Sequence, residues 1–244
     1  MSIVGVIPCR YASSRFPGKP LAKIGNKPMM WHVYQRAIEA NILDKVFIAT
    51  DDERISKVAN DLKLNVIMTK TSHETGTDRI AEVSEKIDAD FYINIQGDEP
   101  FIDPKSIIAV SKEITSCDDL QIKSVNACTL ISSGDEISNP NCVKVITDKY
   151  NNAISFSRSV IPYPRNEFKF YKKTLGLYGF KKSGLEIFLR NESGPIEKAE
   201  SIEMLRILEY GFKVRMVETT SSSIAVDTTI DLDKAIQEFE KIST

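Results

Sequence analysis

Arg10, Arg15 and Lys19 fall within one eleven-residue stretch, RYASSRFPGKP, interleaved with Ser13, Ser14, Gly18 and two prolines. Guanidinium forks grip phosphate oxygens in pairs, whereas an ammonium is a compact charge suited to a bridging or leaving oxygen. The prolines restrict the turn that carries these three cations, and the serine hydroxyls can donate into the same concavity, although Ser14 taken alone reads as a turn hydroxyl. The stretch follows the apolar run IVGVIP, which reads as a buried first strand. Ligands of open α/β sheets sit beyond the carboxyl ends of such strands, so the loop is placed to bind a polyanion. Neither the G-x-G-x-x-G of dinucleotide folds nor the G-x-x-x-x-G-K-[ST] of a P-loop is present, and both of those phosphate chemistries drop out.

A second constellation closes the strand in INIQGDEPFI. Asp98 at the strand's carboxyl end is a candidate ligand for Mg²⁺, a hard cation that takes one or two carboxylates and fills its shell with phosphate oxygens and water. Gln96 can hydrogen-bond a ribose or base, and for Glu99 a solvated loop acid is an equal reading. The helix-capping role falls to Asp103, directly before PKSIIAVSKEI. In HETGTDR, the backbone N–H groups of Gly76 and Thr77 and the side chain of Arg79 can line a nucleotide pocket. Thr77 is equally an N-cap candidate, Arg79 a helix-face cation, and His73 a surface hydrogen-bonding group. In IAVDTTIDLDKA, Asp227 is a candidate second metal carboxylate, with an N-cap role for Asp227 or Thr228 as the competing reading.

These groups need elements to hold them. Strand-length apolar runs at IVGVIP, KVFIAT, NVIMT and FYINIQG alternate with helical patterns at PMMWHVYQRAIEA, DDERISKVANDLKL and TDRIAEVSEKI, a βαβ series with a parallel sheet. The second half reads as strands at SVNACTL, CVKVITD, NAISFSRSVIP and KTLGLYGF with few helices between them. It continues into helical EKAESIEMLRILEYG, a strand at KVRMVET and a last helix in TTIDLDKAIQEFEKI. The expected fold is a doubly wound, mostly parallel α/β sheet with a mixed or antiparallel extension, in a single domain spanning residues 1–244.

The 244 residues can bury a large core without staples, and 42% hydrophobic with 27% charged residues is ordinary for a globular chain. A formal charge of -2 gives no pull toward nucleic acid or an anionic membrane, so phosphate binding has to be local. No leader or spanning pattern is seen, and Cys9, Cys117, Cys128 and Cys142 show no metal or disulfide spacing, which together point to a cytoplasmic protein with reduced thiols. With His32 and His73 as the whole histidine complement, imidazole chemistry is scarce.

The blocks IPCRYASSRFPGKPLAKIGNKPMMWHV, HETGTDRIAEV, INIQGDEPFID, NAISFSRSVIPYPR, LGLYGF, SIEMLRILEYG and VDTTIDLDKA, in this order across nearly the whole chain, resemble the 3-deoxy-manno-octulosonate (Kdo) cytidylyltransferases. The opening loop differs from the G-x-G-x-R-x-x-P of sugar-1-phosphate nucleotidyltransferases. The resemblance implies a homodimeric, Mg²⁺-dependent enzyme that transfers CMP from CTP to the anomeric hydroxyl of a 2-keto-3-deoxy acid sugar and releases pyrophosphate. Its product would feed bacterial surface polysaccharide, lipopolysaccharide or capsule. It places phosphate binding on Arg10, Ser13, Arg15 and Lys19, cytidine contacts on Arg79 and Gln96, and magnesium on Asp98 and Asp227, with Lys19, Arg15 and Asp98 carrying catalysis. It places the acid sugar on Arg158, Tyr178 and Glu203, with Thr174 and Met204 in the same wall. Residues of about 1–115 then form the nucleotide half, about 120–215 the sugar-binding and dimer half, and 216–244 return to the nucleotide side. The family commonly has a His before the LG of LGLYGF and a Gln after the Glu of the LEQLR block, where this chain has Thr174 and Met204. The acceptor therefore stays open between Kdo and another acid: an amino-deoxy sugar acid, a nonulosonate or a phosphonate. A non-catalytic nucleotide-binding protein is the reading from another class.

Overall fold

Along β1 (Ile3–Cys9) the side chains alternate between two buried layers. Ile3, Ile7 and Cys9 face one, and Val4 and Val6 face the other. A strand covered on both sides must lie inside a sheet with helices on each face, the arrangement parallel strands require. The computed structural model, which describes residues 1–12, 16–219 and 225–243, has that arrangement.

From β1 the chain passes through a short 3₁₀ turn (Lys19–Leu21) and a small hairpin of β2 (Lys23–Ile24) and β3 (Lys27–Pro28) into α1 (Met29–Glu39). Next come β4 (Lys45–Thr50), α2 (Glu53–Asp61), β5 (Val66–Met68), α3 (Gly76–Lys86), β6 (Phe91–Ile95) and α4 (Pro104–Ser116). The second half contributes β7 (Ile122–Leu130), α5 (Gly134–Ser138), β8 (Lys144–Thr147), β9 (Ala153–Ser157), β10 (Lys172–Lys181), α6 (Lys182–Arg190), α7 (Pro195–Glu200), α8 (Met204–Glu209), β11 (Lys213–Glu218) and α9 (Thr229–Ser243). The main sheet runs β11-β7-β10-β6-β1-β4-β5, with the β8–β9 pair attached beside β10. Pairings of β1 with β4 and β6, of β4 with β5 and of β7 with β11 are parallel; β10 is antiparallel to both β6 and β7. The mixed extension expected from the sequence is thus built around one reversed strand inside the sheet.

Helices α1, α2 and α4 pack on one face through Met30, Val33, Ile55, Ile107 and Ile114. Helices α3, α6 and α8 cover the other through Ile80, Val83, Leu185, Phe188 and Ile207. A smaller apolar cluster joins α9 to the β2–β3 hairpin: Val226 and Ala235 meet Ile24 and Met29, with Phe16, Leu232 and Phe239 against them. Two details depart from the sequence reading. Helix α6 follows β10 directly where few helices were expected, and the EKAESIEMLRILEYG helix is two, broken at Ser201, whose φ of 51° is left-handed. Among the described residues no helix is long and apolar enough to cross a membrane.

The chain leaves β1 and β6, which are neighbours, in opposite directions across the sheet: onward from β1 to β4, and from β6 past the position of β10 to β7. A crevice opens at such a switch point beyond the strand ends. Gly97 follows β6 there, and a Cβ on it would lie 2.8 Å from the Pro8 carbonyl oxygen and 3.1 Å from Cys9 Sγ. The two strand ends can approach this closely only with hydrogen at that position. Replacing Gly97 by Ala is expected to destabilise the fold by about 1–3 kcal/mol, the usual cost of overpacking; urea unfolding at equilibrium measures it, and unchanged stability would show that the strand ends can part freely.

Candidate active site

Arg10 leaves the end of β1, Gln96 and Asp98 the end of β6, and Arg79 stands in the first turn of α3. Together with Lys19 and Asp227 they line a cleft of about 520 Å³ over the carboxyl ends of the central strands. Ser13, Ser14 and Arg15, the remaining residues of the cationic loop, lie outside the described residues.

At the head of the cleft the Lys19 ammonium donates to Asp98 Oδ2 at 2.7 Å and to Asp227 Oδ1 at 3.3 Å. Gly18, with φ of 71°, turns the chain so that Lys19 opens the 3₁₀ turn pointing back at β6. Asp227 reaches the same place because the Val226 N–H donates to the Asp98 carbonyl oxygen at 2.8 Å. The competing capping role goes to Thr228, whose hydroxyl and amide both bond Asp231 Oδ2, at 2.8 and 3.1 Å. That reciprocal cap leaves the Asp227 carboxylate for the site. Two carboxylates converging on one cation suit Mg²⁺, which needs few protein ligands when phosphate oxygens and water complete its shell. Among the described residues there is no group of three or more His, Cys, Asp or Glu able to hold a metal unaided, so the donor set favours a cation that arrives with a phosphate ligand.

Asp103 caps α4, its Oδ1 accepting from Lys105 N at 2.9 Å. Glu99 is not a solvated loop acid: it is buried, and its Oε1 accepts from Gly176 N at 3.0 Å, tying the β6 turn to β10. Arg79 lines the cleft, but its buried guanidinium faces Thr69 Oγ1 and, at 3.3 Å, Asp51 Oδ1. The α3 cap is Thr75, which accepts from Asp78 N at 3.1 Å. The free amides that the sequence assigned to a nucleotide, those of Gly76 and Thr77, donate to the Glu203 carboxylate at 3.1 and 3.2 Å, and the Thr77 hydroxyl does so as well. Burial pushes the Glu203 carboxyl above its ordinary range, against the pull of these donors. Burial likewise pushes the Cys9 thiol beneath the cleft up to about 12, with Asp98 adding to it, so Cys9 is inert packing.

A second cavity of about 160 Å³ adjoins the cleft and shares Ser201, Ile202 and Glu203 with it. It brings together Arg158, Thr174, Tyr178, Glu203 and Met204, all five residues that the resemblance placed on the acceptor side. Arg158 is held rigidly: Nε donates to Glu200 O at 2.6 Å, Nη1 to Pro140 O at 3.0 Å and Nη2 to Ser201 O at 3.1 Å. Its backbone carbonyl accepts from the buried Lys144 ammonium at 2.5 Å. A guanidinium carries five N–H groups, so two remain for a ligand. Met204 is buried, its Sδ 3.7 Å from the Ser124 hydroxyl that donates to it.

Sequence reasoning missed Arg206. Its buried guanidinium binds Glu197 through Nε at 2.7 Å and Nη2 at 2.8 Å, and Asp78 through Nη1 at 2.9 Å, so it fastens α7 and α8 to the α3 cap. No spacing in the chain pointed to it, since its partners come from two other segments.

Residues 4–221 match the family model described as cytidylyltransferase. The class is therefore that of the CTP-dependent nucleotidyltransferases. The 3-deoxy-manno-octulosonate cytidylyltransferase of Geobacter metallireducens is 42% identical, with 99% of both chains covered. That of Fusobacterium nucleatum is 44% identical over 97% of this chain and 96% of its own. The solved structure of a CMP:2-keto-3-deoxy-manno-octonic acid synthetase complexed with CTP superposes with a TM-score of 0.92 at 39% identity, covering 99% of each chain. The chain belongs to the 3-deoxy-manno-octulosonate cytidylyltransferase family.

Beside the cleft, Glu82 on α3 accepts from Lys70 N at 2.8 Å and pairs with His73 and, at 2.7 Å, with Lys86. Burial pushes its carboxyl up, but these donors outweigh it and hold it lowered from 4.5 to about 2. A carboxyl lowered in the folded state contributes stability above its unfolded pKa and loses it as the pH falls through the folded one. The contribution, of the order of 3 kcal/mol, is thus present above pH 4.5 and fades toward pH 2. Glu82→Gln is expected to flatten that acid limb of stability, measured by urea unfolding from pH 7 to 2; an unchanged slope would show that the cluster contributes nothing.

Proposed function

We propose that this protein, in the cytoplasm, transfers CMP from CTP to the anomeric hydroxyl of Kdo and releases pyrophosphate, the CMP-sugar product feeding surface-polysaccharide synthesis. The observation that supports this most is the adjacency of the two cavities. The five acceptor-side residues line one pocket, and that pocket shares Ser201, Ile202 and Glu203 with the cleft headed by Lys19, Asp98 and Asp227.

In this reading the acceptor hydroxyl oxygen forms a bond to the α-phosphorus of CTP while the bond to the bridging oxygen breaks and pyrophosphate departs. Nucleotidyl transfer of this kind depends on positioning and charge rather than on covalent help from the protein. Lys19 and Arg15 offset the charge gathering on the pyrophosphate, and Arg10 and Ser13 hold the phosphate tail. Gln96 and Arg79 shape the cytidine end. Mg²⁺ held by Asp98 and Asp227 would polarise the α-phosphate and lower the pKa of the attacking hydroxyl. Arg158 turns its two remaining N–H groups to the acceptor carboxylate, and Tyr178 and Glu203 border the sugar beside Thr174 and Met204. The labour divides along the chain: residues of about 1–115 hold CTP, about 120–215 hold the acceptor, and 216–244 bring Asp227 back to the nucleotide.

The same reading includes a homodimer. Tyr163 and Phe170 are 83% and 70% exposed, and Phe170 and Phe168 stack edge-on beside Tyr171, next to exposed Leu130. An aromatic patch of this kind is what a protein partner covers. Sedimentation equilibrium at micromolar concentration is expected to return twice the chain mass, and Tyr163→Ser with Phe170→Ser to return it once; a monomeric native protein would remove the dimer from the reading.

Pyrophosphate release is expected from CTP with Kdo and not from CTP alone. Asp98→Asn keeps the shape of the side chain but removes the charge that holds a cation, and is expected to lower turnover by about a hundredfold or more. Activity within tenfold of the native enzyme would take Asp98 out of the metal site.

A further inference from the structure

The acceptor cavity has a polar group that the sequence comparison did not single out. Asn126, on β7, lines the cavity and is wholly buried. Its Nδ2 donates to the carbonyl oxygens of Leu175 and Leu177, each at 3.0 Å. Carbonyls only accept, so this pair fixes which way the amide is turned. The consequence is that Oδ1 is buried with no donor among the described residues.

The setting makes that orphan informative. In the sheet Asn126 stands opposite Tyr178, and Tyr178 stands opposite Asn94, so three polar side chains form a row across β7, β10 and β6. The Asn94 amide also lacks partners among the described residues. The row lies on the face covered by α3, α6 and α8. A buried acceptor without a donor weakens a fold, and a purely structural tie to β10 needs only the Nδ2 side of the amide. On the facing wall, where the family commonly carries an amide, Met204 is packed into the apolar layer with its sulfur against Ser124.

We propose that Asn126 is a specificity-determining residue, its Oδ1 accepting a hydrogen bond from a hydroxyl of the acid sugar and supplying from the sheet the amide that position 204 lacks. The inference rests on the reading of this cavity as the acceptor site. The chemistry also orients the ligand. An amide oxygen repels a carboxylate, so the acid group goes to Arg158 and the hydroxylated part of the sugar meets Asn126. A thioether offers no such hydrogen bond, and an acceptor whose hydroxyl is deleted leaves Oδ1 as unpaired as it is without ligand.

The test uses the full-length enzyme, saturating CTP, Kdo and a set of singly deoxygenated Kdo analogues, with pyrophosphate release as the readout. Asn126→Leu, close in volume, is expected to raise the acceptor KM about ten- to hundredfold while leaving the KM for CTP within twofold. One deoxy analogue is expected to be at least about tenfold poorer than Kdo with the native enzyme and no poorer than Kdo with Asn126→Leu. Adding Met204→Gln to Asn126→Leu returns an amide to the cavity and is expected to recover acceptor affinity. An unchanged acceptor KM, or analogues that lose the same factor in both proteins, would make Asn126 only a tie for β10 and overturn the proposal. If Asn126→Leu does not fold, the native enzyme decides: equal use of every deoxy analogue and Kdo also overturns it. A native enzyme that turns over none of these acids refutes the acceptor reading itself, and this inference with it, whereas turnover of Kdo with no discrimination refutes the inference alone.

Discussion

Two carboxylates that arrive from distant parts of the chain repel each other in one cleft unless a cation or a proton lies between them. Asp98 follows a central strand, and Asp227 returns from beyond the last one. The Lys19 ammonium lies between them at 2.7 and 3.3 Å. Much of the architecture around the cleft serves that convergence. The Val226 amide is bonded to the Asp98 carbonyl oxygen, the small apolar cluster clamps α9 onto the β2–β3 hairpin, and the Thr228–Asp231 cap keeps α9 from claiming Asp227 for its own first turn. Like charges held close cost free energy unless offset, and the Lys19 ammonium supplies that offset here.

The second constraint joins the larger cleft to the smaller cavity beside it. Glu203 sits on the amides of the α3 N-terminus, where a helix dipole favours negative charge. Three residues on, Arg206 binds Glu197 and Asp78 from within the same segment pair. A buried pair adds little net stability, but losing one partner strands the other, at roughly 3–5 kcal/mol. The network therefore fixes geometry more than it adds stability: α3, which borders the larger cleft, cannot shift without moving the wall of the smaller cavity. Lys144 does the corresponding work on the far wall, its buried ammonium holding the Arg158 carbonyl and the turn around Asn139 and Cys142.

The local rules of the sequence were sufficient for most elements. Period-two and period-3.6 patterns located β1, β4, β6, α1, α2 and α3, and the cap signal at Asp103 started α4 where it begins. They faltered where tertiary contacts override local preference. The helical run around Ser201 breaks there, and the two resulting helices are tied separately, α7 by Glu209 bonding the Ile196 and Glu197 amides and α8 by Arg206 reaching Asp78.

Types and spacing alone determined that a cationic loop follows the first strand, that Asp98 lies beyond a strand's carboxyl end and Asp227 between a short apolar run and the last helix, and that imidazole chemistry is scarce, because each of these is a property of one short segment. Which residues touch was decided only by the fold. Glu99 is as acidic as Asp98 and one residue away, yet the turn after β6 sends it inward to the Gly176 amide. Asn126 carries no motif at all, and its significance comes from two carbonyls on a neighbouring strand that leave one oxygen unpaired beside a cavity. Hydrogen bonds of that kind join residues far apart in the chain, and the direction in which a side chain finds its partner is set by strand register and bulges, which a linear pattern does not encode.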